Sequence, residues 1–434
     1  MLAVIDKIRK NRFIGNTNWL IFQNIYSMGL SLIVGALSAR YLGPSNYGLI
    51  GYGASLVNLF TAISQCGLNS ILMNEIIHHP EKKGEIIGTA LCMRLGASII
   101  SFFCVLILVA VIEPGNYALW IITALQAFAI VCKMYELLNE WFLSELRSKY
   151  YVIADVIGQT VVSVWKIFLL IAGASVLWFG ASTTIQAMVC GLIIGSLFFK
   201  SKDFKLCFSY GTAKELFGKS RHYILAGLAI ALYTQMDKVM LGKMMGEREV
   251  GFYTAAMTIA MLWEFIPTAI INSARTVILE AKQRDEEEYR QKLMLLFAFI
   301  SIAGIGVGIV VQVFGKLAVL ILYGEKYLSA VIVLKLLIWS TTFAMIGVAR
   351  GIWSVAEDKN CYSPNYTICG GIVNLIFNAV TIPVWGIMGA AFGTLLAQIT
   401  VSLLSPLLWK ETRPFVYLYL RSWKSIGYFK KYLK

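Results

Sequence analysis

Charged side chains make up only 14% of these 434 residues, against 58% hydrophobic ones. A soluble globular chain carries about 25% charge, because water must solvate its surface. The shortage excludes a water-soluble domain and leaves lipid as the medium around most of the surface. Histidine is scarcer still: His78, His79 and His222 all lie beside the ends of apolar runs, so they read as interfacial residues rather than ligands or bases. The eight cysteines include no C-x-x-C pair, and most sit inside apolar runs (Cys66, Cys92, Cys104, Cys190, Cys369), where a free thiol behaves as a small hydrophobe. No disulfide framework, metal site or cofactor is expected. A phosphate-binding loop is missing too, so transport driven by the chain's own ATP hydrolysis is not expected.

The chain does contain long apolar runs. A helix rises about 1.5 Å per residue, so about 20 apolar residues cross a hydrocarbon core of about 30 Å. Twelve segments meet this length, near 19–39, 47–69, 86–111, 117–138, 151–173, 176–199, 222–241, 250–273, 293–314, 328–353, 364–384 and 387–409. The runs lack the alternation of membrane strands, and helices satisfy their own backbone groups in lipid, so the fold class is an all-α membrane protein. The first run follows Lys7, Arg9, Lys10 and Arg12 and exceeds the roughly 7 to 15 residues of a signal-peptide core, so it reads as a retained span. Neither end shows a lipidation motif.

The net charge of +14 could point to nucleic acid, but Lys and Arg cluster in the segments between runs. Numbered alternately, one face holds 27 of them and the other only Arg40, Lys243, Arg248, Lys316 and Lys326. Basic loops stay in the cytoplasm, so both termini are expected there and the number of spans should be even. No connection on the outer face exceeds about fifteen residues, which leaves no room for a catalytic domain and argues against a membrane polymerase or glycosyltransferase. The Asn365 sequon opens a span on the cytoplasmic side and reads as accidental.

The long basic segment 200–221 divides the spans six and six. The expected organisation is a six-helix bundle over 1–205, a cytoplasmic linker over 206–219, a second bundle over 220–409 and a basic tail over 410–434. The halves look related: Leu42-Gly43 joins spans 1 and 2, Leu241-Gly242 joins spans 7 and 8 with an offset of 199, and each is followed by a polar turn, a glycine and an aromatic. Repeats of this kind are common in transporters.

Ionisable residues within spans are costly and usually face a cavity or a partner. Lys133, Lys238 and Arg350 lie near span ends, within snorkelling reach of the interface, whereas Arg94, Lys166, Lys335 and Glu264 lie deeper. Asp155 and Lys166 are eleven residues apart in span 5, three turns or about 16 Å along one face. They suit a wet lumen, or else each pairs with a neighbouring helix. Asp237, beside Lys238, reads as a local interfacial arrangement. In-span cations outnumber in-span acids by six to three, a bias suited to phosphate or pyrophosphate groups. Arg94, Lys166, Lys335 and Arg350 are therefore the candidate path cations. Asp155 and Glu264 are candidate ion-coupling acids, because a carboxyl shielded from water takes up a proton readily.

Ala39-Arg40-Tyr41-Leu42-Gly43-Pro44 with Tyr47-Gly48, then Met236 to Gly242 with Val250 to Ala256, and finally Ile382 to Ala391 resemble motifs of the polysaccharide transporter family, the bacterial lipid-linked repeat-unit flippases. The likeness spans nearly the whole chain by span count. It implies two six-helix bundles around a V-shaped cleft, as in the multidrug, oligosaccharidyl-lipid and polysaccharide exporter superfamily, working by alternating access. The cargo it implies is an undecaprenyl-pyrophosphate-linked oligosaccharide, flipped across the bacterial inner membrane for O-antigen, capsule or exopolysaccharide assembly. Membrane lipids, a polysaccharide polymerase and chain-length proteins are the partners it implies. Trp263 and Tyr233 are candidates to stack on sugars. A drug or cation antiporter of the same superfamily would need an acidic pocket, and spans 1 to 4 offer only Glu75, Glu136 and Glu140 at their margins. A lipid II or sporulation-type flippase shares the architecture and stays open.

Overall fold

The computed structural model describes residues 2–423 apart from Leu146; the end of the basic tail, 424–434, lies outside the described residues. Among the described residues, eleven helices are long and apolar enough to cross a membrane. The first carries two spans, because Leu2–Leu59 is interrupted at Gly43, whose φ of 71° and ψ of 170° are not helical. The result is a twelve-span, all-helical membrane protein. Each of the six turns on the sparsely charged face contains one glycine with positive φ: Gly43, Gly115, Gly173, Gly246, Gly324 and Gly386.

Gly43 (71°, 170°) and Gly246 (94°, 173°) share a backbone conformation that is closed to residues with a Cβ. This corrects the register of the internal repeat. Gly43 corresponds to Gly246 and Gly48 to Gly251, an offset of 203 that needs no insertion, whereas the 199 offset read from the Leu-Gly pairs does.

The chain divides at Ala231/Leu232 into two compact units, and the boundary falls inside the continuous helix Tyr210–Met245. In the first unit, Leu137, Trp141, Phe142, Ile86 and Phe198 form a buried cluster, with Trp141 edge-on to Phe198 at 5.1 Å. The segment before Tyr210 lies across the start of span 3. Cys207 donates its N–H to the Gly84 carbonyl at 3.3 Å, and a Cβ at Gly84 or Gly88 would strike the carbonyls of Lys205 and Cys207. Lys219 then bridges Glu75 and Glu215 at 2.8 and 2.7 Å.

In the second unit, spans 9 and 10 pack closely because Gly304 faces Thr342 and Gly308 lies against the Trp339 ring, as small residues allow between membrane helices. The short helix Arg413–Ser422 adds Phe415, Val416 and Tyr419 to a core with Phe297 and Trp353. Several spans are irregular, among them span 4 with a 3₁₀ turn at Lys133–Tyr135, span 8 with another at Leu262–Glu264, and span 12 with a π-helical stretch at Thr400–Leu404.

Candidate substrate path and ion sites

The first unit encloses a polar cavity of about 450 Å³ lined by Lys133, Glu136, Glu140, Tyr151, Asp155 and Gln186, among others. The 3₁₀ turn of span 4 delivers Lys133 and Glu136 to it. Asp155 accepts from Gln23 Nε2 at 2.7 Å and from Ser27 Oγ at 3.3 Å, both on span 1. Further along the same seam Tyr26 meets Thr160 at 2.8 Å and Gln159 donates to Ser31 at 2.7 Å. Glu136 and Glu140, read as marginal in the sequence, thus share a cavity with Asp155, and the first unit is more acidic inside than its spans suggested.

The four candidate cations separate into two kinds. Arg94 is 1% exposed and donates to Asn69 Oδ1 at 2.8 Å, to Glu136 Oε2 at 2.5 Å and to the Lys133 carbonyl at 3.4 Å. Arg350 is 6% exposed, donates to the carbonyls of Val401 and Ser402, and lies 4.2 Å from the Tyr366 ring. A 3₁₀ or π-helical stretch shifts carbonyls out of the α-helical ladder, and in both places an arginine fork meets them. Lys166 and Lys335 differ. Both are half-buried, and among the described residues neither has an ion pair. Arg94 and Lys166 belong to the first unit, Lys335 and Arg350 to the second.

Glu264 ends the 3₁₀ turn of span 8, half-buried, and its carboxylate has no hydrogen bond among the described residues. Trp263, beside it, is 9% exposed and donates its indole N–H to Thr341 at 2.9 Å, so its ring packs in the core and does not present a face to sugars. Tyr233 is half-buried, with its hydroxyl enclosed.

Asp237 is the residue that sequence reasoning misplaced. It is 4% exposed, and it accepts from Asn374 at 2.8 Å, Asn378 at 2.6 Å, Tyr253 at 2.8 Å and Thr394 at 2.7 Å, which ties spans 7, 8, 11 and 12 together. No base pairs with it among the described residues, and the buried Asn378 Oδ1 has no donor. Four neutral donors thus satisfy a buried carboxylate. The only sequence signal was two asparagines one turn apart in an apolar span, Asn374 and Asn378.

A family model described as polysaccharide biosynthesis protein matches residues 37–332. The chain belongs to this family. Within curated relatives, the probable low-salt glycan biosynthesis flippase of Haloferax volcanii is 21% identical over 87% of this chain and 79% of its own length. The putative O-antigen transporter of Shigella flexneri is 24% identical over 72% of this chain and 77% of its own. The probable flippase AglR of Haloferax volcanii is 28% identical over 44% of this chain, and the match spans only 41% of that relative. Among solved structures, an inward-facing multidrug resistance MATE family transporter of the MOP superfamily matches 91% of this chain and 96% of its own with a TM-score of 0.70 at 17% identity. The lipid II flippase MurJ, inward closed, matches 95% and 92% with a TM-score of 0.64 at 16% identity. These two likenesses establish that the family member described here has the MOP transporter fold.

Proposed function

We propose that this chain is a flippase for undecaprenyl-pyrophosphate-linked oligosaccharide, acting in the bacterial inner membrane with both termini cytoplasmic, in the assembly of a surface polysaccharide. The observation that carries the reading is the alignment over 87% of the chain with a probable glycan biosynthesis flippase. Lys166 and Lys335, in-span cations with no acid beside them, are the path residues, because an unpaired ammonium away from water binds phosphate oxygens strongly. Arg94 and Arg350 act on the path indirectly by holding the spans that line it. A polymerase and chain-length proteins would take the product on the far side.

The test is protection of lipid-linked oligosaccharide in sealed proteoliposomes at matched insertion. Wild type flips it, and Lys166→Ala and Lys335→Ala each slow flipping by about tenfold, the equivalent of about one charge-assisted bond. Failure of wild type to flip this substrate while it flips lipid II would move the assignment to that cargo.

A gradient-driven cycle needs a carboxyl whose proton or counter-ion changes with opening. Asp155, Glu264 and Asp237 are the candidates, on their burial or enclosure in polar cavities. Flipping by Asp155→Asn, Glu264→Gln and Asp237→Asn, compared under imposed proton and sodium gradients, separates them: the coupling residue is the one whose variant no longer responds to the gradient. One observation favours the antiporter as a second reading, namely the three carboxylates Glu136, Glu140 and Asp155 around one cavity. Proton-dependent uptake of an organic cation, with no oligosaccharide flipping, would select it.

A further inference from the structure

Beyond the path cations, span 8 carries a feature that packing within its own unit leaves unexplained. Along the helix Phe265–Arg284, Thr268, Asn272, Arg275 and Thr276 follow an i, i+4, i+7, i+8 spacing and therefore share one face. Asn272, Arg275 and Thr276 are exposed, and among the described residues no hydrogen bond or ion pair engages their side chains; Thr268 reaches only the Met345 sulfur at 3.7 Å. Thr268 and Asn272 lie within the span, where unpartnered polar groups are costly against hydrocarbon and mark pathways, and Arg275 and Thr276 continue the same face at the end of the span toward the basic connection.

The strip beside this ladder is apolar and small, with Ile266 and Val277 60% and 49% exposed and Ala269 and Ser273 between them. It opens into a groove of about 580 Å³ toward span 9, where Ala269, Ile270 and Ala274 face Leu295, Leu296 and Phe299. The small side chains at 269, 273 and 274 leave the space. Lys292, which holds Glu288 at 2.6 Å, stands at the end nearest the turn at Asp285. One helix thus presents, side by side, a cationic ladder rich in amide and hydroxyl groups and a trough for an unbranched or isoprenoid chain.

We infer that span 8 holds the substrate amphiphile lengthwise, its phosphates and first sugar on the ladder with Arg275 as the anionic contact, and the start of its polyprenyl chain in the groove against span 9. Charge complementarity assigns the anionic head and the apolar trough assigns a single-chain tail; that the chain is polyprenyl and carries sugar rests on the flippase reading. The occupant is the polyprenyl lipid rather than a glycerophospholipid, because two acyl chains need more room than a single trough gives.

The test uses the full chain purified in nanodiscs, with the exposed Val277 replaced by photoreactive p-benzoylphenylalanine, and two radiolabelled probes at equal concentration, undecaprenyl phosphate and phosphatidylglycerol. The polyprenyl probe should be captured about tenfold above the phospholipid, and Arg275→Ala should lower that capture about tenfold with partial retention by Arg275→Lys, the scale of one charge-assisted bond. Ala274→Trp, which fills the trough, should abolish it at an unchanged melting temperature. Equal capture of both probes, or capture indifferent to Arg275→Ala and Ala274→Trp, overturns the inference. Capture as expected by a protein that flips no oligosaccharide supports the binding surface and removes the transport reading instead.

Discussion

Arg350 meets two carbonyl oxygens in the π-helical stretch of span 12, and Arg94 meets the Lys133 carbonyl at the 3₁₀ turn of span 4, which also accepts the Glu136 N–H. Removing either leaves buried acceptors without donors. Arg94→Ala also strands the Glu136 carboxylate, so it should cost about 3 kcal/mol of stability, and Arg350→Ala about 2 kcal/mol. Lysine cannot reproduce a fork that serves three oxygens, so Arg94→Lys should recover little. Thermal unfolding in detergent checks this, and equal melting temperatures for wild type and both alanine variants would refute it. Lys166→Ala and Lys335→Ala, with no ion pair to lose, should melt within about 0.5 kcal/mol of wild type while transport falls. Asp237→Ala should be as damaging as Arg94→Ala, on the order of 3 kcal/mol, because four donors lose their acceptor.

Turns and breaks decide how the helices are delivered to one another. Gly43 and Gly246 have open space where a Cβ would stand, so the penalty for alanine at either is conformational and not a clash. Gly43→Ala and Gly246→Ala should each cost about 1–3 kcal/mol. Gly306→Ala, also facing open space but on helical backbone in span 9, should be neutral or slightly stabilising. Melting of the three variants side by side is the check, and a loss at Gly306 equal to the other two would contradict it. Twelve spans were legible because hydrocarbon demands long apolar runs, whereas the register of the repeat was not, because the Leu-Gly pairs drew the eye away from Gly246. The break at 133–135 was not legible, since no proline or glycine marks it and the contacts of Arg94 stabilise it, whereas Pro267 and Pro406, each four residues past a carbonyl inside a break, mark those at 262–264 and 400–404 in the sequence. Asp237 was misread for a related reason: its neighbour Lys238 is visible in sequence, while Asn374, Asn378 and Thr394 lie far along the chain. Arg275 fell outside the span ending near 273, yet the helix continues to Arg284.

For the molecule as a whole, the charge bias predicts its orientation in the membrane, and native thiols can report it. Cys207 and Cys361 are exposed and lie in connections on the basic face. A membrane-impermeant maleimide should leave both unlabelled in intact spheroplasts and label both after permeabilisation; labelling from outside would reverse the proposed topology. The assembly of the second unit has a timetable as well. Asp237 waits for Tyr253 over only 16 residues, but for Asn374 and Thr394 over 137 and 157. At roughly 5–20 residues per second, that is on the order of 10–30 s of synthesis during which span 7 carries a carboxyl that its final neighbours have not yet reached. Until spans 11 and 12 emerge, this segment is a poor resident of bare lipid and a good client for whatever protein shelters it during insertion. A ribosome that stops after span 10 releases a chain whose seventh helix advertises its incompleteness to the quality-control proteases of the membrane.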